Sequence, residues 1–285
     1  METGAQSVAM SGGGRAITSL TFDAPPVRVA QLSLWFLPIR DLQTLDLAEL
    51  RVKWRDLFPQ VRERPPSQPW TGETEDVKFF DEQWPMPACL FRNFEGDREV
   101  LIQQDRFILT WRFDSAGSKY PGFANLFGQM TTYFEAFNEA IERTGNERPT
   151  VARVGLRYRN KIEGVDPQVA AEFLVLGKPL EPTIESRDRD SVRLSRHYCP
   201  TDDNRQVVLQ VSVSEGSNRY EEASHEHTRK TTSLRIESYT SLNAEKKEDA
   251  FDRLRDVHDS AIETFLALAG PELRKIWGER HVSYS

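Results

Sequence analysis

Apolar residues recur along this chain in two rhythms, and each change of rhythm marks an element. After the Pro25-Pro26 pair, "VRVAQLSLWF" sets Val27, Val29, Leu32, Leu34 and Phe36 at near-alternate positions. That predicts a strand whose phase slips once at Ala30-Gln31, as at a bulge. "DLAELRVKWRDLFP" then changes to three- and four-residue spacing through Leu47, Leu50, Trp54 and Leu57. Asp46 and Glu49 have the spacing of a capping box at its start, and Pro59 stops it. From Gln60 to Pro87 the rhythm is lost and prolines accumulate, which predicts a long irregular loop. Loops of that length in a compact domain are usually functional or mobile. Its rings, Trp70, Phe79, Phe80 and Trp84, have two readings: they pin the loop onto the core, or they anchor a partner.

Alternation returns in "ACLFRNF" and "VLIQQDRFILTWRF", two predicted strands joined by "EGDRE" with Gly96 suited to the turn. In the second, Phe107, Leu109, Trp111 and Phe113 share one face, with Arg106, Thr110 and Arg112 on the other. That predicts a sheet with one solvated side. The longest helical pattern runs from Phe123 to Arg143, with Phe123, Leu126, Phe127, Met130, Phe134, Phe137 and Ile141 as its stripe and Gly145 as its C-terminal cap. Beyond "GNERPT" (145–150) a similar order restarts. "VARVGLRYRNKI" predicts a strand, and "DPQVAAEFLVL" a short helix with Pro167 at its first position. "SVRLSRHY", "RQVVLQVSVS" and "TTSLRIESYT" predict three more strands, and residues 246–268 a final helix.

Hairpin-linked strands followed by a covering helix predict an α+β fold, with antiparallel sheets each covered by long helices. The order of elements is that of two similar β-α-β-β-α halves. After a flexible N-terminal lead (1–20), they would be an N-terminal half (21–148) and a C-terminal half (149–285), packing as one domain or as two. The closing segment, "ETFLALAGPELRKIWG", reads as a helix end, a break at Gly270-Pro271, and a turn whose Trp277 folds back onto helix or sheet.

Composition sharpens this picture. With 28% charged and 10% aromatic residues, the chain has a wet surface and rings to pack inside. Its formal charge of −7, with basic and acidic residues interspersed, argues against nucleic acid as a partner. Two cysteines in 285 residues suit a reducing compartment. The start lacks the basic and apolar regions of a signal peptide, and no apolar run reaches the roughly 20 residues of a membrane helix. The expectation is a cytoplasmic protein without membrane contact.

Phosphate-loop, dinucleotide, nucleophile-elbow and zinc-protease motifs are absent, so catalysis has no sequence support and no cofactor is expected. His225 and His227, two residues apart, are the most metal-like pair, and His197 with Cys199 would complete four ligands. They lack the tight C-x-x-C spacing, and their surroundings look like a polar hairpin tip, so no metal is expected. Cys89, among apolar strand residues, reads as a small core side chain. His258 takes an inward place in the stripe Phe251, Leu254, His258, Ala261, Phe265, Leu268. It is either a satisfied core histidine or a titrating group in a pocket between helix and sheet. In "RVGLRYRNKI", alternation puts Arg153, Arg157, Arg159 and Lys161 on one face, with Tyr158 and Asn160 on the other. The basic face is a solvated surface or a patch for an anionic ligand or acidic partner. His258, Tyr158, Arg157 and Arg159 are thus the candidate ligand-binding residues.

"APPVRVAQLSLWF", "DLFPQV", "LIQQDRFILTWR", the aromatic helix after "YPGF", "RVGLRYRNKI" and "HDSAIETFLALAGPELRKIWG" come in a distinctive order. That order resembles a sporadically distributed bacterial family of uncharacterised proteins of about this length. The resemblance spans Pro25 to Gly278 and implies a cytoplasmic bacterial protein with no catalytic motif to carry over. Patchy distribution is typical of conflict genes. The resemblance therefore implies an accessory, immunity or antitoxin component of an anti-phage system, while the missing catalytic motifs and the aromatics of the long loop point to a non-enzymatic binding protein with a protein partner encoded nearby. A ligand or enzymatic pocket between antiparallel sheet and C-terminal helix, a chaperone-like scaffold, and a homo-oligomer are the alternatives.

Overall fold

The computed structural model describes residues 18–22, 26–39, 41–68, 86–113, 119–163, 191–198, 205–214, 231–242, 249–268, 274–275 and 277–283. Its strands are β1 (Thr18–Phe22), β2 (Val27–Phe36), β3 (Gln60–Arg64), β4 (Ala88–Arg92), β5 (Arg98–Gln103), β6 (Arg106–Arg112), β7 (Val151–Glu163), β8 (Ser191–Tyr198), β9 (Arg205–Ser214), β10 (Thr231–Ser241) and β11 (Glu279–Ser283). Its helices are α1 (Ala48–Lys53), which continues a 3-10 turn over Thr44–Leu47, α2 (Phe123–Arg143) and α3 (Ala250–Leu268). The class is α+β. Nine strands share one sheet in the order β3-β4-β5-β6-β2-β7-β10-β9-β8, and β1 pairs antiparallel with β11 in a separate two-stranded sheet.

The chain gathers into two compact units, one of Val29–Leu156 and Tyr239–Val257, the other of Met1–Arg28, Arg157–Ser238 and His258–Ser285. Strands β7 and β10 and helix α3 each contribute residues to both.

In the unit built on Val29–Leu156, alternation sorts the strands into two faces. Leu32, Leu34 and Phe36 of β2 stand beside Leu109 and Phe107 of β6, and Val100 and Ile102 of β5 continue that layer. All are buried. The stripe of α2 closes over them: Phe36 and Phe107 each meet Phe134 and Phe137, with ring centroids 5.4–6.4 Å apart. A second ring cluster of Trp54, Phe58, Phe91 and Tyr133 ties α1 to β4 and α2. Helix α2 ends at Gly145, whose φ of 86° is the left-handed conformation that a C-terminal glycine supplies.

Several expectations change here. The apolar stripe at α1 runs through Leu47, Leu50, Trp54 and Phe58, while Leu57 is exposed, because the chain leaves helical geometry after Trp54. The capping carboxylate acts one turn earlier than expected: Asp46 accepts from the Gln43 N–H at 2.8 Å. Residues 60–64, expected within the irregular loop, form the edge strand β3, whose charged sequence suits a sheet margin. The single strand expected over 100–113 is a hairpin, β5 and β6, turning at Gln104-Asp105. Its polar face is not simply solvated: Gln103, Arg106, Ile108 and Thr110 are buried. Part of the cover is the chain just after β3. Gln103 exchanges hydrogen bonds with Ser67 backbone at 2.9 and 3.1 Å, and Arg106 donates to the Gln68 carbonyl. Strand β1 begins inside the expected lead, and β11 was not expected at all.

Candidate binding surfaces

Strand β7 passes through the sequence that carries the basic alternation, and in the unit built on Arg157–Ser238 its two faces separate completely. Tyr158 and Asn160 point inward and are buried, as are Leu234 and Ile236 of β10. From α3, His258, Ala261 and Phe265 are buried as well. The Tyr158 and His258 rings meet edge-on at 6.3 Å, and His258 Nδ1 lies 3.0 Å from Asp259 Oδ1. Asn160 donates to the Leu234 carbonyl at 3.4 Å. Of the side chains expected to line a pocket, Tyr158 and His258 are buried, and the histidine has a carboxylate and an aromatic neighbour.

Arg157, Arg159 and Lys161 project from the opposite face. The sequence candidates are therefore split: His258 and Tyr158 lie in the core layer, Arg157 and Arg159 on the outer face, and a β-strand cannot bring adjacent residues to the same side. Strand β10 adds Arg235 and Glu237 to that outer face. Glu237 Oε1 accepts from Arg157 Nε and from Arg235, the latter at 3.0 Å through Nε. Four cations and one carboxylate leave these five side chains at +3, on a chain whose formal charge is −7. Alternation in "TTSLRIESYT" marks Arg235 and Glu237 as sharing a face. Their nearness to Arg157 depends on which strands are neighbours, which no local pattern encodes.

The other unit has its own polar face. The Arg153 guanidinium lies 3.8 Å from the Tyr239 ring centroid and 5.3 Å from that of Trp35, a cation held between two π faces. Glu99, its side chain only 5% exposed, bridges Arg92 at 2.8 Å and Arg112 at 2.9 Å across β4, β5 and β6. Asp105 and Arg106 pair at 2.8 Å. These groups hold one another in place.

Cys89 is buried as expected, its thiol 3.9 Å from Thr44 Oγ1 and 3.7 Å from the Pro87 carbonyl. Burial pushes its pKa up, the Thr44 hydrogen bond opposes that, and Glu63 adds to it, so the nucleophilic thiolate is suppressed. Trp70, Phe79, Phe80, Trp84, Cys199, His225 and His227 lie outside the described residues, as does the segment expected to form the short helix at Pro167. His197 lies in β8, of which only the backbone course is described. Among the described residues, no cluster of three or more His, Cys, Asp or Glu is arranged to hold a metal, and no helix is long and apolar enough to cross a membrane.

No protein-family model matches the chain, and no curated protein matches it significantly.

Proposed function

We propose that this is a non-enzymatic binding protein and that the outer face of β7 and β10 receives an anionic partner. The observation that supports this reading is the clustering of charge: Arg157, Arg159, Lys161 and Arg235 share the outer face with Glu237, which pairs with Arg157 and Arg235, on an otherwise acidic chain. A patch of one sign steers an oppositely charged partner and makes its capture salt-dependent. The ordered pairing at Glu237 prearranges two of the four cations, which lowers the entropy lost on binding. Following the family resemblance, the partner is a protein encoded beside this gene, within a bacterial conflict system.

Co-expression with the products of the adjacent genes tests this. The expected result is a complex that dissociates as salt is raised and fails to form with Arg159→Glu. A complex indifferent to both salt and Arg159→Glu would refute the assignment of this face. Absence of any complex would refute the neighbouring partner.

A further inference from the structure

The nine-stranded sheet ends on β3, and we propose that this edge docks an extended, acidic segment of another protein as an additional strand. Among the described residues β3 has one neighbour, β4, paired antiparallel from Gln60 opposite Arg92 to Arg64 opposite Ala88. All five of its residues are exposed. An edge strand presents a row of backbone donors and acceptors to an incoming chain, and β-strand addition uses them for affinity and alternate side chains for specificity. Here the alternate side chains are informative. Arg62 and Arg64 share one face, while Val61 and Glu63 share the other. Leu57 and Val61 add exposed apolar surface beside the edge.

The charges argue against a second copy of this chain as occupant. Antiparallel self-pairing about a two-fold axis sets a residue against its own image. Centred on Arg62 it opposes two arginines, and centred on Glu63 two carboxylates, both destabilising. Centred on Val61 it places Glu63 against Pro59, which has no N–H for a ladder. A strand from a different protein escapes all three. With Asp or Glu opposite Arg62 and Arg64, and a small apolar residue opposite Val61, it complements both arginines and the valine. This surface lies in the unit built on Val29–Leu156 and does not depend on the arginine face of β7 and β10.

The probe is a short, terminally blocked peptide alternating Glu with Thr, with a Lys–Thr peptide as control. Fluorescence anisotropy should show binding of the acidic peptide, and hydrogen exchange should slow at the amides of residues 60–64. Arg62→Glu with Arg64→Glu turns two attractive cross-strand pairs repulsive, so affinity should fall about thirty-fold and preference should pass to the Lys–Thr peptide. Both substituted side chains are exposed, and an unchanged circular dichroism spectrum confirms the fold. No binding, binding without protection at 60–64, or binding that survives the double reversal overturns the proposal. Binding lost with Arg159→Glu but kept in the β3 variant also overturns it, while leaving the β7–β10 reading intact. Protection at 60–64 that grows with protein concentration alone assigns the edge to self-association instead.

Discussion

Replacing Trp277 by Ala is the sharpest probe of how the C-terminal segment is held. Trp277 is 4% exposed and stacks on Phe265 of α3, with centroids 5.1 Å apart and rings 20° from parallel. Truncating a buried Trp costs about 3–5 kcal/mol, a transfer loss plus the cavity left behind. The ring pair itself accounts for about 0.5–1.5 kcal/mol of it. Against a typical total of about 5–15 kcal/mol, the variant should fold with a much reduced margin. A local effect should accompany the global one. Trp277 is followed by Gly278, whose φ is 68° and whose N–H reaches the Lys275 carbonyl at 3.1 Å, and the chain then enters β11. The β1–β11 ladder runs from Thr18–Ser283 to Phe22–Glu279, and an isolated two-stranded sheet is marginal in water. The anchoring tryptophan therefore supports the ladder from one end. Urea denaturation should show the loss in stability, and hydrogen exchange should accelerate at residues 18–22 and 279–283 more than in β5 and β6. Trp277→Phe should recover much of both. A loss under about 1 kcal/mol, typical of a surface change, would refute this account of the packing.

Other outcomes follow from equally specific contacts. Glu99→Ala removes the carboxylate shared by Arg92 and Arg112; thermal denaturation should show a loss of about 2–3 kcal/mol, below the range for a fully buried pair because both arginines reach solvent. Gly145→Ala meets no atom within 4 Å, so its cost is conformational alone, about 1–2 kcal/mol for an L residue held at a φ of 86°. Cys89 gives a pH prediction. Its folded pKa is raised above the unfolded value, so the folded state keeps a proton that the unfolded thiol releases, and stability declines as pH rises past the ordinary thiol pKa. Cys89→Ala should flatten that alkaline decline in denaturation midpoints, and native-state alkylation of Cys89 should be slow beside that in urea.

What could be read in advance followed from how local the determinant was. Helix α2 was legible because its seven apolar positions recur within a single element, and Gly145 sits where the helix must stop. The β4–β5 hairpin was legible because Gly96, at a φ of 78°, lies between two alternating runs. The turn at Gln104-Asp105 was not, since neither residue is a strong breaker and the apolar alternation runs straight through it. Strand β3 was hidden by its own composition: "QVRER" reads as solvent-facing chain until a neighbour supplies its ladder. Helical spacing put His258 on the inward face, where it is buried, but its ring neighbour Tyr158, about a hundred residues earlier in the chain, was not to be read from that spacing. Similarly, the basic alternation of β7 was visible, but its counter-charge on Glu237 required the strand order.

The pairing of β1 with β11 has a consequence for how the protein is made. Synthesis proceeds from the N-terminus, so β1 emerges long before its partner β11. Residues 29–156 can collapse while the ribosome is still at work, whereas β1 has to wait until β11 has left the exit tunnel. During that interval an unpaired β-segment trails from a nascent chain, exposed to other nascent chains and to chaperones. Translation speed between the codons of β1 and those of β11 then becomes a determinant of yield.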